Sequence, residues 1–363
     1  MKLGIIGFPA CGKTSLFNAV TGSSQPTGQF SGTAGIHMAT VRVHDPRMFK
    51  LREFYKPKSF VLAHMECEDV SGLISGTGGE TKEVSAEVLG NVRQVDAIIH
   101  VVRAFESSAV PHVIDSIDPR RDMAETFNEM IFADLAQSEK RIKALKGMVA
   151  KHSKTQDLDK KELALLEKLH AHLENGEPVS KFALANDDER KMVAAFQFLT
   201  AKPIMTVFNV NEGDLAPGGK AEELEKFYPD SIALCAKLEM ELAQLPDEER
   251  DIFLKDLGIK EAAAPRLVHM VYKDLGLISF FTVGEDEVRA WTLHKGENAQ
   301  QAAGKIHTDL AKGFVRAEVF TYAELEGAGG DERAMKAKHA VRLEGREYPV
   351  KDGDVLMIRA NTR

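Results

Sequence analysis

The sequence predicts an α/β protein: a parallel-rich sheet flanked by helices, interrupted by an inserted helical hairpin and followed by a C-terminal β-grasp domain. Three observations predict this. The chain opens on a glycine-rich turn between an apolar strand and a helix, GFPACGKTSLFNAV at residues 7 to 20. Further apolar strands recur between helical stretches as far as Asn209, and a heptad seam is inserted between two of them. After residue 279 the order becomes strand, helix and strands. At 363 residues the chain exceeds what one core usually serves, so two or three domains are expected.

Leu3, Ile5 and Ile6 form the first strand, and Leu16, Phe17 and Val20 follow at helical spacing. Between them Gly7, Gly12, Lys13 and Thr14 have the spacing of a phosphate-binding loop, with the strand and helix that such a loop requires on either side. This is the signature of a P-loop NTPase. Backbone N–H groups of the turn, which runs through Pro9, Ala10 and Cys11, and of the helix start at Ser15 surround the phosphates. Lys13, the catalytic candidate, reaches the β and γ oxygens, and Thr14 ligates Mg²⁺. A second strand, Val61 to Met65, leads to Asp69 and Gly72 with DxxG spacing. There Asp69 holds Mg²⁺ through water and the Gly72 N–H meets the γ-phosphate.

A third strand covers residues 96 to 103, and a fourth, residues 203 to 209, ends in Asn209-Val210-Asn211-Glu212. Guanine-specific switches carry Asn-Lys-x-Asp at this place, the aspartate accepting from guanine N1–H and the N2 amine. Here Val210 replaces the lysine and Glu212 the aspartate, which weakens the case for guanine and leaves adenine open. An ordinary exposed turn after a strand is the other reading of the same four residues.

Ile131, Leu135, Ser138, Ile142, Leu145 and Val149 alternate spacings of four and three, as a helical seam does. Asp159-Lys-Lys-Glu162 has the form of a capping box, Leu163, Leu166, Leu169 and Leu173 line a second helix, and Asn175-Gly176 stop it. Around the tip, Lys140, Arg141, Lys143, Lys146, Lys151, Lys154, Lys160 and Lys161 outweigh Asp157 and Asp159. Such a tip suits a phosphate backbone, and it equally suits a solvated helical surface. Near the C-terminus, residues 288 to 293 alternate as a strand, a helix runs from Asn298 to Lys312, and a strand covers Val315 to Phe320. Turns follow at Gly345 and at Asp352-Gly353-Asp354. Trp291, His294 and His307 are read as packing or surface residues, not as a base platform or metal ligands.

These motifs together resemble the Obg-like ATPase (YchF) family. The resemblance rests on the loop at 7 to 21, DxxGL at 69 to 73, DAIIHVVRAFE at 96 to 106, IDPRRD at 117 to 122, NVNE at 209 to 212 and AKLEMEL at 236 to 242. It is strongest in VRAWTLHKGENAQQAAGKIHTDLAKGFVRAEV at 288 to 319 and RLEGREYPVKDGDV at 342 to 355. Two segments depart from the family's pattern, QFSGTAG at 29 to 35 and residues 76 to 91. Alignment from His44-Asp-Pro-Arg47 places Thr33 on the switch threonine, a second Mg²⁺ ligand. The resemblance implies a P-loop domain over residues 1–120 and 199–278, the hairpin over 121–198 and a TGS-type β-grasp domain over 279–363. It implies nucleotide contacts at Asn209, Val210 and Glu212 and at Cys235, Ala236 and Lys237.

The function expected is a Mg²⁺-dependent ATPase, with GTP the lesser nucleotide, acting as a switch on the ribosome or its RNA. Hydrolysis should be slow, because Leu73 stands where related switches carry a water-orienting glutamine. A binding adaptor with little switching and a small-molecule phosphotransferase are the competing readings. With a net charge of −8 the molecule is no polybasic binder overall, and no apolar run spans a bilayer. Three scattered cysteines give neither a disulfide framework nor a zinc site. A cytoplasmic monomer without membrane or sequence-specific DNA partners is the expectation.

Overall fold

The computed structural model describes residues 1–25, 37–70, 86–110, 112, 116–150, 156–257, 259, 262–337 and 339–361. Along the chain come β1 (Lys2–Ile6), α1 (Lys13–Thr21), β2 (His37–Arg42), α2 (Pro46–Tyr55) and β3 (Ser59–Val61). Next are β4 (His64–Asp69), α3 (Ala86–Gln94), β5 (Ala97–Arg103), the long α4 (Pro119–Val149), α5 (Gln156–Glu174) and α6 (Asp187–Phe196). Then follow β6 (Ile204–Asn209), α7 (Lys220–Phe227), β7 (Ser231–Leu234), α8 (Ala236–Leu242), α9 (Asp247–Asp256) and α10 (Ala263–Asp274). The last stretch holds β8 (Leu277–Thr282), β9 (Glu287–His294), α11 (Ala299–Ile306), α12 (Thr308–Lys312) and β10 (Phe314–Thr321). It closes with α13 (Tyr322–Gly327), α14 (Glu332–Ala337), β11 (Arg342–Glu344) and β12 (Asp354–Ala360).

Two compact units result: residues 1–39 with 66–264, and residues 40–65 with 265–363. The first holds a six-stranded sheet in the order β2-β4-β1-β5-β6-β7. Its β4-β1, β1-β5, β5-β6 and β6-β7 pairings are all parallel. Strands such as Ala97–Arg103 are buried along their whole length, which is why they read as continuous apolar runs and not as alternation. Parallel order brings the C-terminal ends of β1, β4 and β6 to one edge.

The hairpin forms as its seam dictates. Ile131, Ser138 and Leu145 of α4 are buried and pack, directly or through neighbours, with Leu166, Leu169 and Leu173 of α5. Each fully buried leucine there contributes about 2 kcal/mol of transfer free energy. Ser138, the polar member, is satisfied by Leu135 O and by His170 Nδ1 across the seam, each at 2.8 Å. One local expectation is corrected: α5 begins at Gln156, so Asp159 and Glu162 lie inside the helix and make no N-cap. Glu162 instead pairs with Arg141.

The second unit has a six-stranded sheet in the order β11-β10-β12-β8-β9-β3. The β8-β9 hairpin, the crossing helix α11 and the last strand β12 beside β8 in parallel make the β-grasp arrangement. The sequence boundaries put residues 40–65 in the nucleotide domain and start the last domain at 279, whereas residues 40–65 and 265–278 group with the C-terminal unit. The reason is long-range pairing: β3 runs parallel to β9, and Arg47 on α2 bonds Asp352 at 2.7 Å and lies over the Phe281 ring. The expected strand Val61–Met65 is accordingly two strands, β3 and β4, split between the two sheets. The expected helix from 298 to 312 breaks at His307, whose side chain caps α12 by accepting from Asp309 N.

Candidate functional site

The loop between β1 and α1 is held open by backbone geometry. Gly7 has φ +149° and Gly12 φ +101°. A Cβ on Gly7 would stand 2.3 Å from Val101 O, and one on Gly12 2.2 Å from Asn209 Nδ2, so only glycine fits either position. Ala10 also has positive φ, +60°. Cys11 fills the inside of the turn against Gly7, and burial pushes its thiol up, so it is a neutral packing group and not a nucleophile.

Lys13 folds back over the turn. Its ammonium donates to Gly7 O at 3.0 Å and Phe8 O at 2.9 Å, which uses two of its three donors and fixes its position. Beneath it on β5, His100 is buried, and burial together with the Lys13 charge pulls its imidazole down to about 4. A neutral ring there avoids a second positive charge beside Lys13. No local pattern in the sequence marks His100 for this place.

Thr14 Oγ1 donates to Asp69 Oδ2 at 2.8 Å, a contact made by the parallel register of β1 and β4, which sets Ile5 beside Asp69. Asp69 is only 3% exposed, and among the described residues its Oδ1 has no hydrogen-bond partner. The hydroxyl spends its proton on the carboxylate and keeps its lone pairs. A hydroxyl oxygen beside an orphaned buried carboxylate oxygen fits a hard, oxygen-preferring cation such as Mg²⁺. Among the described residues no group of three or more His, Cys, Asp and Glu is placed to hold a metal ion. Thr33, Gly72 and Leu73 lie outside the described residues.

Asn209 joins three of the predicted segments. Its Nδ2 donates to Cys11 O and its Oδ1 accepts from Ala236 N, both at 2.9 Å. The end of β6, the phosphate turn and the start of α8 are thereby locked together, with Asn209 nearly buried. Val210 points into the core beside Phe208 and Ala221, so its side chain serves packing. Glu212 is exposed at the head of a 3-10 turn, Glu212–Leu215. Cys235 and Ala236 are buried, whereas Lys237 projects outward with Glu241 4.0 Å away. Pro9 is exposed, and Ser15 half-buried in the first turn of α1. The double use of Asn209 has no local signal: the asparagine is visible in the sequence, its partners 198 and 27 residues away are not.

The hairpin's charges are less free than the sequence suggests. Arg141 bonds Glu162 at 2.7 Å, and Lys146 bonds Glu167 at 2.9 Å, both across the two helices. Lys140, Lys143, Lys160 and Lys161 are exposed; Lys151 and Lys154 lie outside the described residues.

Comparison with known proteins then narrows the reading. A family model described as 50S ribosome-binding GTPase matches residues 2–146, and a YchF-type C-terminal model, described as a protein of unknown function (DUF933), matches residues 277–361. The chain is 39% identical over 371 residues to a Bacillus subtilis protein named ribosome-binding ATPase YchF, covering 99% of each. A Haemophilus ducreyi protein of the same name is 38% identical over 366 residues, again with 99% of each covered. Among solved structures, the Schizosaccharomyces pombe YchF GTPase matches with a TM-score of 0.85 and 33% identity, over 99% of this chain and 97% of that one.

Proposed function

This chain belongs to the YchF family of P-loop NTPases, and we propose that it is a slow, Mg²⁺-dependent ATPase whose nucleotide state switches its contacts with the ribosome or its RNA. The observation that carries the chemistry is the meeting of Lys13, Thr14 and the orphaned Asp69 oxygen at one sheet edge. Lys13 would bind the β and γ phosphate oxygens from a position already fixed by two loop carbonyls. Thr14 would hold Mg²⁺ directly and Asp69 through water, and Thr33 and Gly72 would complete the γ-phosphate contacts. The ion's contribution is to neutralise charge on the transferring phosphoryl group.

Base choice follows from the segment after β6. With Val210 turned into the core and no lysine in its place, the aliphatic support that a guanine reader gives its base is missing, and the longer Glu212 replaces the aspartate. ATP is therefore preferred to GTP. The partner reading is supported by the names of the relatives and by the exposed lysines of the hairpin; the C-terminal β-grasp unit, read as a TGS domain, is its second contact.

One set of measurements tests the whole. Lys13→Ala should lower ATP affinity and abolish turnover while the thermal unfolding curve stays in place. Calorimetry should give tighter ATP than GTP binding, and ribosome sedimentation should differ between ADP, a non-hydrolysable ATP analogue and no nucleotide. Normal turnover in Lys13→Ala, or equal sedimentation in all three states, would refute the switch.

A further inference from the structure

The phosphate site and the base of the hairpin share one continuous piece of core. Phe8 of the phosphate turn and Val70, next to Asp69, pack in a single cluster with Val92 of α3, Val95, Met130 of α4 and Leu199. A polar lattice covers the same junction. On the last turn of α3, the Arg93 guanidinium donates to Asp134 Oδ1 of α4 at 2.9 Å, to Ala133 O at 3.0 Å and to Gln197 O at 3.2 Å. Asp134 is fully buried and also accepts from Leu199 N at 3.0 Å and from Thr200 N and Thr200 Oγ1 at 2.9 Å. Thr200 Oγ1 accepts in turn from Val179 N at 3.1 Å, past the end of α5. From the opposite side, the Lys202 ammonium donates to Arg93 O at 2.8 Å and Val95 O at 2.6 Å.

All three of these Arg93 side-chain bonds therefore land on the hairpin or its return segment. Charge-assisted bonds to a buried carboxylate hold one geometry and break steeply when displaced, so a shift of α3 must carry α4 with it or sever them. Asp134 would keep three hydrogen-bond donors without Arg93, and what it would lose is its ion-pair partner. What Arg93 adds is a link.

We infer that Arg93 is the coupling residue that makes the hairpin follow α3, and hence the nucleotide held at Lys13, Thr14 and Asp69. This rests on the nucleotide switch proposed above. The α3 helix is the first described element after Asp69 and Val70 in the chain and shares its core with Phe8 and with Met130 of α4, so a change at the phosphates reaches both by packing, and the Arg93 bonds turn that apolar contact into a link of fixed geometry between α3 and the hairpin.

The test is hydrogen exchange on the full chain with ADP and with a non-hydrolysable ATP analogue, for the native protein, Arg93→Ala and Arg93→Gln, with calorimetry on the same samples. Amides of residues 130–138 and 197–201 are followed. In the native protein their exchange should differ between the two nucleotides by about 5-fold or more, and both variants should bring that ratio close to unity while keeping nucleotide affinity within about 3-fold. Should Arg93→Ala exchange faster everywhere, Arg93→Gln, which keeps the bulk and an amide donor, decides. Variants that retain the native ratio overturn the coupling, as does a native protein that binds both nucleotides without any difference in these segments. Failure of the native protein to bind ATP at all shows in the calorimetry, and would overturn the proposed function and the coupling with it.

Discussion

The phosphate turn and the helical hairpin are both dense in charged and polar residues, yet they use them in opposite ways. At the turn, Lys13 and Asn209 are nearly buried and held by backbone atoms, so their positions are set before any ligand arrives. At the hairpin, Arg141 and Lys146 are spent on glutamates of the facing helix, and Lys140, Lys143, Lys160 and Lys161 carry exposed side chains. Preorganisation at the first place makes single substitutions decisive. At the second, charge acts as a sum, and single substitutions are mild.

Gly12 is where preorganisation of the turn should have its largest effect. An alanine there must accept φ +101° and place its Cβ 2.2 Å from Asn209 Nδ2. Backbone strain alone is worth about 1–3 kcal/mol, and the overlap adds to it, so ATP affinity should fall by about 100-fold or more. Calorimetry measures it. Near-native affinity would mean that the turn is not preorganised.

Asn209→Ala comes next. It leaves Cys11 O and Ala236 N without partners in a buried place, at about 1–3 kcal/mol, which predicts a loss of about 10- to 100-fold in nucleotide affinity. The two sites are in contact, so they should not add: Gly12→Ala in an Asn209→Ala background should cost less than it does alone, because its clash partner is gone. Strict additivity would show that the overlap is relieved elsewhere.

The same contrast explains what the sequence disclosed. The phosphate turn, β1, β5 and β6 were legible because glycine spacing and apolar runs are local signals. The heptad seam was legible for the same reason, Ser138 included. What stayed hidden depends on pairing between distant residues. Nothing between positions 40 and 65 announces that β3 will join β9 or that Arg47 will meet Asp352, and the break at His307 comes from a histidine capping the helix that follows it. The Thr14–Asp69 contact was half legible. Each residue had its motif, while the orphaned oxygen that makes the pair fit a cation is a property of burial.

At the hairpin the expected effects are smaller. Replacing Lys140, Lys143, Lys160 and Lys161 together with glutamine should weaken ribosome binding and flatten its salt dependence. Each lysine that touches a phosphate contributes about 0.7–0.9 to the slope of log affinity against log salt. Sedimentation across a salt series gives the slope. An unchanged slope would remove the hairpin from the interface and leave its charges as a solvated surface.

Glu162→Gln is the smallest and the most discriminating. Hydrogen bonding to Glu162 holds the Arg141 guanidinium's pKa above its ordinary value, and Glu162 is the more buried partner at 19% side-chain exposure against 37%. Discounted for that exposure, the pair is worth about 0.2–1 kcal/mol, so the melting temperature should move by a few degrees at most. The amide can still accept one bond from Arg141 but no longer cancels its charge. The hairpin tip thus gains a net positive charge while the seam of Leu145, Leu166 and Leu169 is untouched. Ribosome affinity should therefore stay level or rise slightly at low salt, opposite in sign to the lysine replacements. A large loss of stability would show that the cross-helix pair is part of the seam itself, and a loss of ribosome affinity without loss of stability would show that Glu162 sets the geometry of the binding surface and does more than neutralise a neighbour.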